Sequence, residues 1–542
     1  MTPAAGRAIA TPHALATEAG LGALRRGGSA ADAAIAANAV LCVAYPHMAG
    51  LGGDGFWLVW DPDDRRAHGI NASGPAARLA TPDLYLERGL QGVPERGGPA
   101  ALTVPGAVDG WRLAHERWGR LPWAELFADA IRLAAEGVPV APSLARYHRR
   151  EAGVLRDHAG ARELFAAVSD GAAGGPLVQP RLAATLRALA GGGARAGFYE
   201  GAIARELGRA LEGADSPLRA ADLGEYRAEW VEPLRGAYRG VEVLELPPNT
   251  QGIAAIQILR LLEGYDVAAW GDGSADYIHA LVEATKLAFA DRDAWVADPR
   301  YVTAPLERLA SPEYADARRA LIEPQRALPP VSVEPGIPRD RDAGDRAHAP
   351  SRDGDTCYFC VVDGSGLAVS CIQSIYFAFG SMVVAGDTGI LLQNRGTAFS
   401  LDANSANALE PGKRPLHTLI PGMLLKEGAP LAILGTMGGE GQPQTQGALV
   451  TRLLDFGYDA GRAVEAPRWL FGRTWGDASQ ALSLESRFDP EVVRALRERG
   501  HDVRVLGPLD ETMGHAQMIV RRPDGTLDAA ADPRGDGSSR GE

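Results

Sequence analysis

The chain has 542 residues, enough for two or more average domains or one large layered one. Its make-up, 46 % hydrophobic and 23 % charged, is that of an ordinary globular protein. A net charge of −13, with no long basic block, argues against nucleic acid as a partner, and four cysteines (Cys42, Cys357, Cys360 and Cys371) are too few for a disulfide framework at this length.

The first stretch, MTPAAGRAIATPHALATEAG, has no apolar run of the export-signal kind, so a cytoplasmic location is the expectation. Residues 15–45 predict Ala-rich helix broken at GG27–28. Their most apolar part is short and holds Asp32 and Asn38, which argues against a membrane span. GLGGDG at 50–55 matches G-x-G-x-x-G, but helix precedes it and the strand FWLVWD follows. Dinucleotide binding needs the reverse order, so close packing of backbone on backbone is the expectation. AHGINASG predicts a further strand, and PWAELFADAIRLAAEG (122–137) a helix. More helices are predicted at 181–190, 202–212, 251–264 and 276–293, and a strand in YRGVEVLELPP.

Residues 330–355 mix Pro, Gly, Asp and Arg with almost no large apolar side chains, the composition of a flexible linker. Beyond them strands are predicted densely: TCYFCVV, LAVSCIQS, SMVVAG, TGILLQN, GMLLKE, LAILGTM and HAQMIVRR. DGSG joins the first two as a hairpin. Helices packed on sheets, outside βαβ order, give an α+β layered class. Cys357 and Cys360 form C-x-x-C, but on a strand positions i and i+3 face opposite sides, so a core role is expected for both. RGD at 534–536 is assigned no function. His47 and His417 each have an ordinary reading as satisfied buried polar residues.

Thr356 stands where the linker meets the first strand. Inside a chain a threonine hydroxyl is a weak nucleophile, because nothing beside it takes its proton. At a chain terminus the free α-amine serves as base, with a reference pKa near 8. Cleavage at Asp355–Thr356 would create that terminus. The local pattern alone leaves a plain strand-initiating role open.

Separate blocks in order resemble the γ-glutamyltransferase family of N-terminal-nucleophile hydrolases: GGSAADAAIAANAVLCVAYPHMAGLGGDGF, TVPGAVDGW, LPPNTQGIAAIQIL, DTCYFCVVDGSGLAVSCIQS, FGSMVVAGDTGILLQNRGTAFSLD, PGKRPLHTLIPGM, GTMGGEGQPQ and EAPRW. The resemblance implies a four-layer αββα sandwich and a self-cleaving proenzyme. It implies a large subunit 1–355, carrying the 330–355 linker, and a small subunit 356–542, held together without a covalent link. It puts the nucleophile at Thr356, its hydroxyl partner at Ser374, and the oxyanion-holding backbone at Gly438 and Gly439. The family's glutamyl clamp is altered. Ser73 falls near its arginine, Ala398 on its aspartate, Tyr376 on its asparagine, and His417 and Thr418 on its serine pair. Loss of that arginine and aspartate argues against γ-glutamyl transfer. Arg395, in LLQNRG, offers a planar donor fork suited to a carboxylate. With Tyr376, His417 and Thr418 it could form a smaller anionic site; a structural salt bridge is the alternative.

The pattern is similar to the branch containing oxamate amidohydrolases and glutathione-hydrolase-like proenzymes. The expectation is an amidohydrolase acting on a small carboxylate-bearing amide, with no cofactor and no metal. The alternatives are a glutathione hydrolase or γ-glutamyltransferase with a changed clamp, and an uncleaved, inactive relative that binds. A homodimer of the processed pair is a further expected assembly.

Overall fold

The computed structural model describes residues 6–168, 175–330, 333–339, 355–472 and 479–542. Two antiparallel sheets face each other. The first has seven strands in the spatial order Ser538–Gly541, Ala8–Thr11, Asp355–Val362, Ala368–Tyr376, Asp54–Asp61, Arg66–Ala72, Glu229–Val231. The second has six: Leu527–Ala531, Ala516–Arg521, Ala429–Thr436, Gly422–Lys426, Val241–Glu245, Leu234–Tyr238.

Three apolar layers hold this together. Phe56, Leu58, Tyr358, Ile372, Met423 and Ile433 fill the space between the sheets. Trp57, Val59, Phe359 and Cys371 pack outward on helices such as Ala30–Ala44. Val243, Leu424 and Leu434 pack outward on Gly252–Leu262 and Ala275–Trp295. The result is a four-layer αββα sandwich. Both faces of each central strand are covered, which explains why FWLVW and CYFCVV lack polar alternation. Cys357 and Cys360 do face opposite layers, and all four cysteines are free and buried. Ala30–Ala44 starts at a capping box in which Ser29 and Asp32 exchange hydrogen bonds. Its small side chains let Ala14–Arg25 lie close: a Cβ on Gly20 would stand 3.0 Å from the Ala33 carbonyl oxygen.

Three expectations need correction. SMVVAG and TGILLQN are not strands; only isolated bridges, Val384 to Leu391 and Leu392 to Gly52, remain. Phe379, Gly380, Met382, Gly386 and Gly389 all have positive φ, which curls this segment back onto the glycine loop. PWAELFADAIRLAAEG opens as a 3₁₀ turn, Trp123–Phe127, before the helix Ala128–Glu136. YRGVEVLELPP spans a hairpin, with Gly240 at φ 76° turning Leu234–Tyr238 into Val241–Glu245. Of the linker reading at 330–355, only 330, 333–339 and 355 lie within the described residues. Among the described residues no helix is long and apolar enough to cross a membrane.

Glu245 is buried at the end of its strand, and neither carboxyl oxygen has a hydrogen-bond partner among the described residues. Burial pushes its carboxyl well above the usual range. The acid therefore stays protonated in the fold while the unfolded chain ionises. Its contribution to stability is complete below the unfolded pKa and falls as pH rises, by up to ~1.4 kcal/mol per pH unit until the folded group also ionises. Glu245→Gln should remove this loss. The thermal midpoint of the variant relative to wild type should rise from pH 5.5 to pH 8.5; a constant offset would refute the assignment.

Candidate active site

Three side chains from three neighbouring strands form a row between the sheets. Ser374 pairs with Asp54 across one strand boundary. Across the other, Gln373 pairs with Cys357 and Tyr376 with Asp355, so Thr356 alone opposes Ser374 and Ile375. This is a β-bulge, a device that re-aims a side chain at a strand end. Phe56, Tyr358 and Ile372 lie two positions along from Asp54, Thr356 and Ser374 and belong to the layer between the sheets. Strand alternation therefore turns all three site residues to that layer. Thr356 is 1 % exposed, and Ser374 and Asp54 are fully buried. The side chain of Asp355 and the segment before it lie outside the described residues.

The glycine loop makes this row possible. A Cβ on Gly53 would stand 2.3 Å from the Ser374 carbonyl oxygen, and one on Gly52 2.2 Å from that of Leu391. Backbone does pack on backbone there, as GLGGDG predicts.

Arg395 enters from a buried 3₁₀ turn, Arg395–Ala398. Its Nη2 donates to Ser374 Oγ and its Nη1 to Thr418 Oγ1, both at 3.4 Å. Its guanidinium lies 3.7 Å from the centre of the Tyr376 ring. Its Nε is buried without a partner, and no carboxylate forms an ion pair with it among the described residues. The salt-bridge alternative therefore finds no partner. Burial pulls its pKa down to about 10, with Tyr376 and Asp54 opposing. Tyr376 holds φ at 79°, a strained setting for a residue with a side chain, and its N–H donates to Ser374 Oγ at 2.7 Å.

Asp54 Oδ1 accepts from the amides of Gly74 (3.0 Å) and Gly106 (3.1 Å) and from Gln393 Nε2 (3.0 Å). His417 Nε2 lies 3.2 Å from Asp54 Oδ2. Burial raises the Asp54 carboxyl to about 7, against the pull of Arg395 and these donors. Burial, and then Arg395, drives His417 well below its ordinary value, so the ring is neutral.

The glycine pair follows the Ala429–Thr436 strand. A Cβ on Gly435 would stand 2.4 Å from the Tyr358 ring, so this strand end lies against the strand that Thr356 opens. Gly438 and Gly439 have φ of 129° and 53°, and neither amide N–H donates a hydrogen bond among the described residues. Two buried, unengaged N–H groups in sequence are suited to a developing oxyanion. Gln251 ties this turn to the arginine site: its Nε2 donates to the carbonyls of Thr418 (2.8 Å) and Gly439 (3.1 Å). Buried Arg292 in turn donates to Gln251 Oε1 at 2.9 Å and to Glu440 at 3.2 Å.

Thr356, Ser374, Arg395, Tyr376, His417, Thr418 and the glycine pair thus form one connected cluster. Ser73 is not brought into contact with Arg395. Its Oγ is taken up by Asn71 (2.6 Å) and Asn249 (3.3 Å); Ser73 meets the cluster through the Asn249 carbonyl, which accepts from the His417 amide, and through the adjoining Gly74 amide, which donates to Asp54. The sequence reading missed Asp54, Gln251 and Arg292. The available signal was an acid inside a glycine loop and a glutamine in LPPNTQG.

Two groups of described residues have metal-ligand spacing, His279–Glu283–His501 and Asp61–Asp64–His68. Neither shares a residue with the row, and a protein cation already holds an acid of each: Lys286 on Glu283 at 2.6 Å and Arg117 on Asp64 at 3.0 Å.

The family model described as Gamma-glutamyltranspeptidase matches residues 16–541. The glutathione hydrolase-like YwrD proenzyme of Bacillus subtilis is 42 % identical, over 98 % of this chain and 98 % of that protein. The oxamate amidohydrolase proenzyme of Klebsiella pneumoniae is 43 % identical, over 99 % and 98 %. The crystal structure of cephalosporin acylase from Bacillus halodurans superposes with a TM-score of 0.90 at 36 % identity, covering 100 % of this chain and 96 % of that one. With the model match spanning nearly the whole chain, the protein belongs to the gamma-glutamyltranspeptidase family.

Proposed function

We propose that the chain is a self-processing amidohydrolase that uses Thr356, freed by cleavage after Asp355, on a small amide bearing a carboxylate, such as oxamate. The observation that carries this reading is Arg395. A buried donor fork with no carboxylate partner among the described residues sits 3.4 Å from Ser374 Oγ, beside the bulge that Thr356 faces. In oxamate the carboxylate and the scissile carbonyl are joined by one C–C bond of ~1.5 Å, so anchor and nucleophile must lie close together. A γ-glutamyl amide places its α-carboxylate three carbons further away and carries an ammonium, for which the described residues of the cluster offer no acidic partner other than Asp54.

In the proposed cycle the α-amine of Thr356 takes the hydroxyl proton as Oγ attacks the amide carbon. The amides of Gly438 and Gly439 receive the oxyanion, and Ser374 orients the hydroxyl. The C–N bond breaks, the amine returns the proton to the leaving nitrogen, and ammonia departs. Water then attacks the ester by the same base route and frees Thr356. The two chains would stay joined after cleavage. The Asp355–Val362 strand lies between Ala8–Thr11 and Ala368–Tyr376, and Gly422–Lys426 pairs with Val241–Glu245.

The test is a comparison of oxamate, propanamide and a γ-glutamyl anilide on the processed protein. Oxamate should exceed propanamide in kcat/KM by about 100-fold or more, because a site built for a carboxylate rejects an amide lacking it. Preference for the anilide would overturn the reading in favour of a γ-glutamyl enzyme.

A further inference from the structure

We propose that Asp54, braced by His417, is the internal counter-charge of Arg395, and that a substrate carboxylate seats on Arg395 together with one proton taken up by Asp54. This rests on the reading of Arg395 as the carboxylate anchor. With Asp54 ionised and the Thr356 amine unprotonated, as a base must be, the buried cluster is neutral: one guanidinium and one carboxylate with no hydrogen bond between them. An entering carboxylate would leave a net negative charge among fully buried groups, a costly state. A proton removes that charge.

The groups that face Asp54 narrow the choice of acceptor. From its own sheet they are Ser374 and, beyond Arg395, the Tyr376 phenol. From the loops they are Arg395, His417, Gln393 and the amides of Gly74 and Gly106, with the Tyr226 phenol behind Gly106. Tyr226 is held protonated by burial, and His417 resists a proton because it is buried beside Arg395. Arg395 is the largest influence holding the Asp54 carboxyl down against burial. A carboxylate that neutralises Arg395 removes that restraint, so the carboxyl rises from about 7 and takes a proton near neutral pH. By linkage, a rise in pH must then weaken binding of the anion.

Isobutyrate, an unreactive monoanion of oxamate's size, is the probe. Calorimetric titration of the processed enzyme at pH 8, in phosphate and in Tris, should show close to one proton taken up, and Kd should rise about tenfold per pH unit above the break. Asp54→Asn should abolish the uptake and flatten the profile. Gln393→Met removes one donor to Asp54 Oδ1 and should move the break to higher pH, which keeps the test open if Asp54→Asn does not fold. A Kd independent of pH from 7 to 9 in wild type overturns the inference. So does uptake that survives in Asp54→Asn, which would assign the proton to the Thr356 amine. Binding of isobutyrate that is unchanged by Arg395→Met would instead refute Arg395 as the anchor.

Discussion

Thr356→Ala is expected to leave the chain uncut and to lower amide hydrolysis by about 10⁴-fold or more. The wild type should separate under denaturing conditions into pieces of 355 and 187 residues, the smaller beginning at Thr356, while the variant stays at 542. Both losses have one cause. In the proposed processing step the Thr356 hydroxyl attacks the preceding carbonyl; its nitrogen leaves, and water opens the resulting ester. In the proposed turnover the same hydroxyl attacks substrate, with the released amine as its base. Alanine supplies neither bond. Thr356→Ser keeps both and should retain cleavage at a reduced rate. To separate the two roles, the two pieces can be expressed as separate chains with alanine first in the smaller; this pair should assemble and remain inactive. Intact mass checks the first claim and ammonia release the second. Cleavage at the same bond in Thr356→Ala would remove Thr356 as the nucleophile.

Legibility from sequence followed locality. The strands around Phe56 and Tyr358 could be read because burial on both faces made them unbroken apolar runs. The helix predicted at 276–293 is Ala275–Trp295, and it starts at Ser274, whose Oγ accepts from the Tyr277 amide. SMVVAG and TGILLQN have strand composition, yet positive φ at Met382 and Gly386 breaks the first and at Gly389 the second, and the second meets the glycine loop through an isolated bridge from Leu392 to Gly52. The site divides in the same way. Thr356 stood out because a linker meets a strand there, and Arg395 because a charge appears where the family resemblance expects none. Asp54 could not be placed. Its neighbours Ser374, Gln393 and His417 lie more than 300 positions away in the chain, and only strand order brings them together. Ser73 falls near the family's arginine in the chain, and nothing local shows that Asn71 and Asn249 share its hydroxyl.

Arg395→Ala should raise KM for oxamate by about 100-fold, with a range of roughly 30- to 1,000-fold set by the ~2–4 kcal/mol that a buried, charge-assisted donor pair contributes. KM for propanamide should change by less than about threefold. The asymmetry follows from what the guanidinium touches. It spans Ser374 and Thr418 and stacks on Tyr376, so its fork is held in one plane before substrate arrives. Because that plane is already paid for by packing, little ordering entropy is lost when a carboxylate binds. Arg395→Lys keeps the charge but offers one point of contact where the fork offers two, and should fall between wild type and Arg395→Ala. Removal of the guanidinium also frees the Asp54 carboxyl from its strongest opposing charge, so it should hold its proton to higher pH. The Arg395→Ala pocket is then neutral, and an uncharged amide meets no new repulsion. Steady-state kinetics on both substrates decides the matter. Equal KM increases for oxamate and propanamide would mean that Arg395 only props the Ser374 strand end, and the anion site would have to be sought elsewhere.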